Sequence, residues 1–334
     1  MPGLQPTLDE VARKAGVSRS TASRAINGGM RVSPAALVAV NEAVARLGFS
    51  PNRAARALAT QHTGSIALVI PEPDERFLSD PFLLGVLRGV SLALASRETP
   101  LVLLIANPAQ PVRQMARYLS AGHVDGAIIA SPHEGDHLED DLRGSRPVIF
   151  IGRPFESSRL SFVGVDNVEG SRLGTQALID GGRTRLGTIT GPMDMTAGID
   201  RLAGWRIALE AAGLPTDAVE LGDFSMHGAQ VATERLLARF PDIDGIFVAS
   251  DTMAIGVRRA LEAAGRRVPQ DVALVGFDNL GAAEGMTPRL TTVNNPLLEL
   301  VDSAAKLLLE RIADPSIEPQ QLILSPHLVP GGTV

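Results

Sequence analysis

The sequence predicts two architectures in one chain: a small all-α head with helix-turn-helix spacing, and a larger α/β domain of two lobes, each on a doubly wound parallel sheet. Three observations carry this. The 334 residues exceed what one compact core usually serves. The first 48 residues hold three short helical patterns separated by glycine-containing turns. From residue 66 onward, short continuous apolar runs alternate with helical stretches, the pattern of parallel strands covered on both faces.

In the head, Thr7 can cap a first helix, and Glu10 three residues on completes a capping box. Leu8, Val11, Ala12 and Ala15 form its apolar stripe, and Gly16-Val17 breaks it. Ser18 caps a second helix with Ala22 and Ile26 on one face. Asn27-Gly28-Gly29 ends that helix. Ser33-Pro34 opens a third, in which Leu37, Val40, Val44 and Leu47 give the expected buried stripe. Gly48 stops it. After Pro51, residues 52–59 favour helix but are too short to be stable alone in water.

In the body, the apolar runs 66–71, 101–106, 124–130, 147–152, 186–190, 245–250 and 272–277 read as strands, with a last strand at 322–329. Helical patterns are expected at 82–96, 111–121, 167–181, 197–212, 227–239, 252–264 and 297–313. In such sheets a ligand binds outside the C-terminal strand ends.

Bulk properties narrow the function classes. The chain has no cysteine, so neither a disulfide framework nor a cysteine-ligated metal site is available. Six scattered histidines show no metal spacing, and no cofactor is expected. The N-terminal residues lack the basic and apolar regions of a secretory signal, and no apolar stretch reaches the roughly 18 residues of a membrane span. A cytoplasmic location is the default. The net charge of −6 argues against nucleic acid, but its distribution argues the other way. Residues 1–60 carry eight basic and three acidic side chains, a net of +5, while the remainder is net −11. A basic head on an acidic body fits one end meeting phosphates.

Helix, tight turn, helix over residues 7–27 is the motif that lays its second helix in the DNA major groove. Arg19 could then pair with a guanine edge, and Ser20 or Thr21 could reach a base or phosphate. Arg24, Arg31 and Arg53 suit phosphate contacts. The competing reading is a three-helix bundle with a solvated second helix.

The stretch Thr7-Leu8-Asp9-Glu10-Val11-Ala12, continuing through Gly16-Val17-Ser18 and Thr21-Ala22-Ser23-Arg24-Ala25-Ile26-Asn27, resembles the head of the LacI/GalR repressor family. So do Val32-Ser33 and the run from Leu47 through Pro51-Asn52-Arg53-Ala54-Ala55-Arg56-Ala57-Leu58. The resemblance extends over nearly the whole chain. It implies a head at 1–50, a hinge helix and linker at 51–64, and a periplasmic-binding-protein-like domain at 65–334. The first lobe would take about 65–163 and 295–323, the second about 164–294 and 324–334. The DNA-facing set it implies adds Thr7, Ser18 and Asn27 to the residues above, with Asn52, Ala55, Arg56 and Leu58 from the hinge. Two hinge helices would enter the minor groove, Leu58 wedging a central base step.

In the body, Val165-Asp166-Asn167, Thr190-Gly191-Pro192, Asp200-Arg201-Leu202, Ala249-Ser250-Asp251 and Gly276-Phe277-Asp278-Asn279 resemble the same family's effector domain. Arg201 and Asp278 are the leading effector-site residues: a guanidinium forks onto adjacent oxygens, and a carboxylate accepts from neighbouring hydroxyls. Asp80, Phe82, Arg153, Phe224, Ser250 and Asp251 complete the implied set. For Asp251 a helix N-cap, for the two phenylalanines a place in the core, and for Arg153 a surface ion pair are the competing readings. Carboxylates in the cleft favour a neutral, hydroxyl-rich ligand such as a sugar. A purine is the alternative, disfavoured by only 12 aromatic residues.

Two rival classes are weaker. An enzyme would need a GxGxxG after a first strand, or a nucleophile with its base, and neither is present. A transport binding protein would suit the body but not the basic head. The chain stops just after its last strand, without the heptad tail that makes some relatives tetramers, so a homodimer on a pseudo-palindromic operator is expected.

Overall fold

The computed structural model describes residues 6–26, 32–50, 62–106, 112–136, 142, 146–155, 159–281 and 284–334. The chain divides into two compact units, Met1–Thr63 and Gly64–Val334.

In the first unit, α1 (Leu8–Ala15) is capped by Thr7, whose hydroxyl accepts from the Glu10 N–H while the Glu10 carboxylate accepts from the Thr7 N–H at 2.7 Å. Gly16 ends α1 in the left-handed region at φ 68°, which a residue with a Cβ rarely adopts. The second helix, α2 (Arg19–Ile26), starts from Ser18, whose Oγ accepts from the Thr21 N–H at 3.1 Å. Ser33 and Pro34 open α3 (Pro34–Leu47), which Gly48 closes at φ 63°. Val11, Ala12, Ala22, Ala25, Val40 and Ala43 form a buried core, with Val44 and Leu47 packed on it. Leu37, expected in that stripe, is instead 41% exposed. The eight-residue helices α1 and α2 span about 12 Å each, so they cannot cover all of the 14-residue α3.

The second unit holds two six-stranded sheets. The first comprises β1 (Ile66–Ile70), β2 (Leu101–Ile105), β3 (Gly126–Ala130), β4 (Val148–Ile151), β5 (Ser161–Val165) and β11 (Gln321–Leu324). Its order is β11-β5-β4-β3-β1-β2, all neighbours parallel. Period-two alternation assigns each strand's faces: Ile66, Leu68 and Ile70 enter one core, Ala67 and Val69 the other. The first core is closed by α5 (Pro81–Ala95) and α11 (Leu297–Ala313), the second by α6 (Val112–Ser120). Helices α5 and α11 approach closely because Gly85 lacks a Cβ, which would lie 2.4 Å from Leu297 Cδ2.

The second sheet comprises β6 (Leu186–Thr190), β7 (Val219–Leu221), β8 (Gly245–Val248), β9 (Ala273–Asp278), β10 (Thr291–Asn294) and β12 (His327–Val329). Its order is β12-β10-β9-β8-β6-β7, with β12 alone antiparallel. On one face lie α7 (Asn167–Asp180) and α8 (Thr196–Ala211), which bury Trp205; on the other lie α9 (Met226–Arg239) and α10 (Asp251–Ala263).

The chain passes between the sheets three times: after β5, after β10, and between β11 and β12. The expected single strand over 322–329 is therefore two strands in different sheets, broken at Ser325-Pro326. No helix is expected between the strand at 66–71 and the helix at 82–96, whereas α4 (Asp74–Ser79) occupies the loop after β1. Strands β5, β7 and β10 were not anticipated, because three to five residues without sustained alternation give little local signal. No described helix is long and apolar enough to cross a membrane.

Candidate DNA-binding face and effector cleft

The outer face of α2 carries Arg19, Ser20 and Arg24, all exposed, opposite the buried Ala22 and Ala25. Arg19 pairs with Asp9 at 3.4 Å, and both side chains are largely in solvent, so the pair holds Arg19 weakly. Arg24 Nε donates to the Ser20 carbonyl at 3.2 Å. The Ser18 hydroxyl shares hydrogen bonds with those of Ser20 at 2.9 Å and Thr21 at 2.8 Å at the N-terminus of α2. Thr7 serves the α1 cap and remains exposed. The rest of the expected DNA-facing set, Asn27, Arg31, Asn52, Arg53, Ala55, Arg56 and Leu58, lies outside the described residues.

Between the two sheets, a cleft of about 860 Å³, counting space open to solvent, collects residues from the C-terminal ends of β1, β3, β4, β5, β8 and β9. Asp80, Phe82, Arg201, Phe224, Ser250, Asp251 and Asp278 all line it. Arg201, on α8, is 6% exposed. Its Nε donates to Asn167 Oδ1 at 2.8 Å, one Nη to the Ala249 carbonyl, and the other to Asp278 Oδ1 at 3.3 Å. Its guanidinium lies 3.7 Å from the Phe277 ring centroid. Burial lowers the Arg201 pKa while the nearby Asp278 raises it; an arginine so paired stays charged.

Asp278 ends β9, and Asn295 Nδ2 donates to the same oxygen at 3.3 Å. Burial raises its pKa to about 6, with Arg201 opposing. Asp251 is raised to about 7, by burial first and then by the Asp278 charge. The Asp251 carboxylate accepts from the Thr292 hydroxyl at 2.6 Å and the Asn279 N–H at 2.7 Å, so it ties the ends of β9 and β10 together. The cap of α10 is Ser250, whose Oγ accepts from the Met253 N–H, and not Asp251.

From the first sheet, Asp80 caps α5 through the Phe82 N–H at 2.9 Å, and burial raises its pKa. Phe82 is half-buried against the first core and presents its remaining surface to the cleft. Phe224 adopts φ 59° and packs on Gly191, where an added Cβ would lie 2.3 Å from Phe224 Cζ. Arg153 does not line the cleft: it forks onto Asp200 at 2.7 and 2.9 Å, a rim contact between the first sheet's β4 loop and α8. An acidic partner within reach captures the guanidinium before it can turn inward.

The sequence reading missed Arg76, Asn167 and Asn295, which also line the cleft. Arg76 lies between Glu72 and Asp80 and places its guanidinium 5.4 Å from the Phe224 ring centroid. No local pattern marks it. Asn167 stands in the quoted Val165-Asp166-Asn167 run and could have been found there.

The comparisons agree with this two-part organisation. Residues 7–52 match the model of bacterial regulatory proteins of the lacI family, and residues 175–334 that of a periplasmic binding protein-like domain. The chain is 42% identical to the HTH-type transcriptional regulator CelR of Thermobifida fusca over 97% of both chains. Among solved structures it resembles a CelR–cellobiose complex, with TM-score 0.78, 40% identity, and 98% of this chain and 100% of that one covered. It also resembles the lac repressor dimer bound to operator and the anti-inducer ONPF, with TM-score 0.86, 25% identity and 99% of both covered. An exposed basic helix in the second position of a helix-turn-helix, a cleft between two sheets lined by apolar and charged side chains, and these matches over nearly the full length lead to one assignment: the chain belongs to the lacI family of DNA-binding transcriptional regulators.

Proposed function

We propose that this regulator is a repressor whose hold on a pseudo-palindromic operator is controlled by a small sugar bound between its lobes. The observation that carries the ligand class is the Arg201–Asp278 pair in the cleft. It offers a fixed cation and an acceptor side by side, with Asp80 and the rings of Phe82 and Phe224 also lining the cleft. Adjacent hydroxyls of a sugar present both donors and acceptors to such a pair, and a sugar's apolar ring face suits an aromatic wall. An anionic ligand would meet three carboxylates, Asp80, Asp251 and Asp278. The relative crystallised with cellobiose makes that sugar the first to test.

The acting unit in this reading is a cytoplasmic homodimer. Arg19 and Ser20 read bases, while Thr7, Ser18, Thr21, Arg24 and the basic residues beyond α2 hold phosphates. Lobe closure on the sugar changes the spacing of the paired heads; a coupling of about 1–3 kcal/mol would change operator affinity about 5–150-fold. A panel of mono- and disaccharides, read both by thermal shift and by release of captured genomic fragments, tests the proposal. A sugar that raises the melting temperature and alters fragment retention supports it; a panel silent in both readouts removes the sugar.

A further inference from the structure

Within each lobe, apolar cores do the holding. Between the lobes, polar contacts gather on the rim of the cleft. One cluster is Arg153 with Asp200, reinforced by the Thr196 hydroxyl donating to the Arg153 carbonyl. The other is centred on His133, next to Ser131 and Pro132 of the cleft wall. His133 Nε2 lies 3.0 Å from Glu72 Oε1, on its own lobe, and Nδ1 lies 2.9 Å from Asp194 Oδ2, on the other. Ionised carboxylates only accept, so both ring nitrogens must carry protons and the ring is an imidazolium.

The surroundings fix that arrangement. Glu72 is 3% exposed, accepts from the Ser131 hydroxyl at 2.7 Å, and faces Arg76 at 3.3 Å. Arg76 in turn reaches across to the Asp223 carbonyl at 2.9 Å. The Asp136 carboxylate accepts from the His133 N–H at 2.8 Å, and the Glu134 N–H donates to the Asp194 carbonyl at 2.9 Å. The charged groups around the ring are thus Glu72, Asp136 and Asp194, with Glu134 adjacent in the chain and Arg76 beyond Glu72. Three carboxylates around one imidazole leave it the cation at their centre.

We propose that His133 is a positioning residue for the effector site: by bridging Glu72 and Asp194 it clasps the two lobes at the mouth of the cleft and sets how much of the protein is closed before effector arrives. The proposal rests on the reading that the effector binds the closed cleft. A ligand that binds the closed form pays for whatever fraction is open, so a stronger clasp means tighter apparent binding. Asp194 is 56% exposed and stands on a loop of the second lobe, so opening solvates it and breaks the bridge without disturbing either core.

The clasp is sensitive to protons. Burial alone would lower the ring's pKa, but Glu72 and Asp194 outweigh it and raise it to about 9, from an ordinary 6.5 when the ring is free. Glu72 stays with the ring when the lobes part and only Asp194 is lost, so the raised pKa of the bridged form keeps the Asp194 contribution at neutral pH and loses it as pH rises through about 9.

The absence of cysteine allows selective labelling. Ser96→Cys in the first lobe and Glu234→Cys in the second, carrying a donor and an acceptor dye, report lobe separation in the full-length, effector-free protein. The expected result is a compact population at pH 6.5 that gives way to a wider one by pH 9.5. His133→Gln and Asp194→Asn should raise the wide fraction at pH 7 at least threefold and weaken cellobiose binding in proportion. His133→Lys keeps the cation, so its separation should stay compact and its pH profile flat. If His133→Gln lowers the melting temperature, Asp194→Asn, on a solvated loop, carries the test. Energy transfer that is unmoved by both neutral substitutions and by pH overturns the clasp. Because the distance readout needs no sugar, a silent sugar panel leaves this result decisive on its own.

Discussion

The head and the cleft recognise their ligands by opposite physical means. The basic side chains of α2 stand in solvent, loosely paired or bonded to backbone, and cost little to redirect toward a charged polymer. Arg201 is buried, bonded through Nε and both Nη groups, and stacked on Phe277, so it is already in place before anything binds. An exposed cation works through long-range, screened attraction; a buried one works through geometry in a medium that screens little.

The sharpest way to break this comparison is salt. Operator affinity should fall about 10³-fold or more between 50 and 200 mM salt if six to ten phosphates are contacted. Effector affinity, titrated calorimetrically over the same range, should change less than about twofold. A flat operator profile would end the electrostatic account of the head.

Next in size is Arg201→Ala. Removing one partner of a buried, hydrogen-bonded charge pair costs about 3–5 kcal/mol of folding stability, and here it also leaves Asp278 unpaired and takes the cation out of the cleft where the ligand would meet it. Effector affinity should therefore drop more than about 100-fold, while operator binding without effector, followed by mobility shift, stays within a few-fold. Loss of both would make Arg201 a structural residue.

A smaller effect, about tenfold, is expected from pH. Asp278 titrates near 6, so lowering the pH from 7 to 5 protonates it, removes an acceptor for the ligand and weakens its pairing with Arg201. Effector affinity should fall through that window; Asp251, raised to about 7, protonates there as well, so Asp278→Asn should remove part of the dependence and the double change with Asp251→Asn most of it. In the head, Arg19→Ala should cost about 1–3 kcal/mol and relax selectivity at one base position, read by competition among single-base operator variants. Smallest of all, Thr7→Ala removes a capping box and should cost about 1 kcal/mol, seen as faster amide exchange in α1.

The same contrast separates what was legible in the sequence from what was not. The head's determinants are local: Thr7 with Glu10, the turn at Gly16, Ser33-Pro34 and the spacing of Ala22 all act within a few residues, so capping and periodicity locate all three helices. Much of the body's strand and helix succession was likewise readable from continuous apolar runs, though β5, β7, β10 and α4 were not. Within the cleft, residues held by quoted runs, such as Arg201 and Asp278, could be named. Arg76, which no run contains, could not. Arg153 was misdirected because its position suggests the cleft while its charge partner, Asp200, lies 47 residues away.

By itself, then, the amino-acid order settled the head's helices and most of the body's element types, because these depend on neighbours a few positions apart, and it displayed directly the two-part charge distribution and the side chains available for a ligand. The three crossings between the sheets fall where the family resemblance implied them; only the tertiary structure decided that Asp251 ties strands together while Ser250 caps the helix, and that Glu72, His133 and Asp194 meet. The His133 contacts join residues 61 apart and the Asp251 tie residues 28 and 41 apart, and their approach is dictated by how the sheets pack and close, which no local pattern encodes.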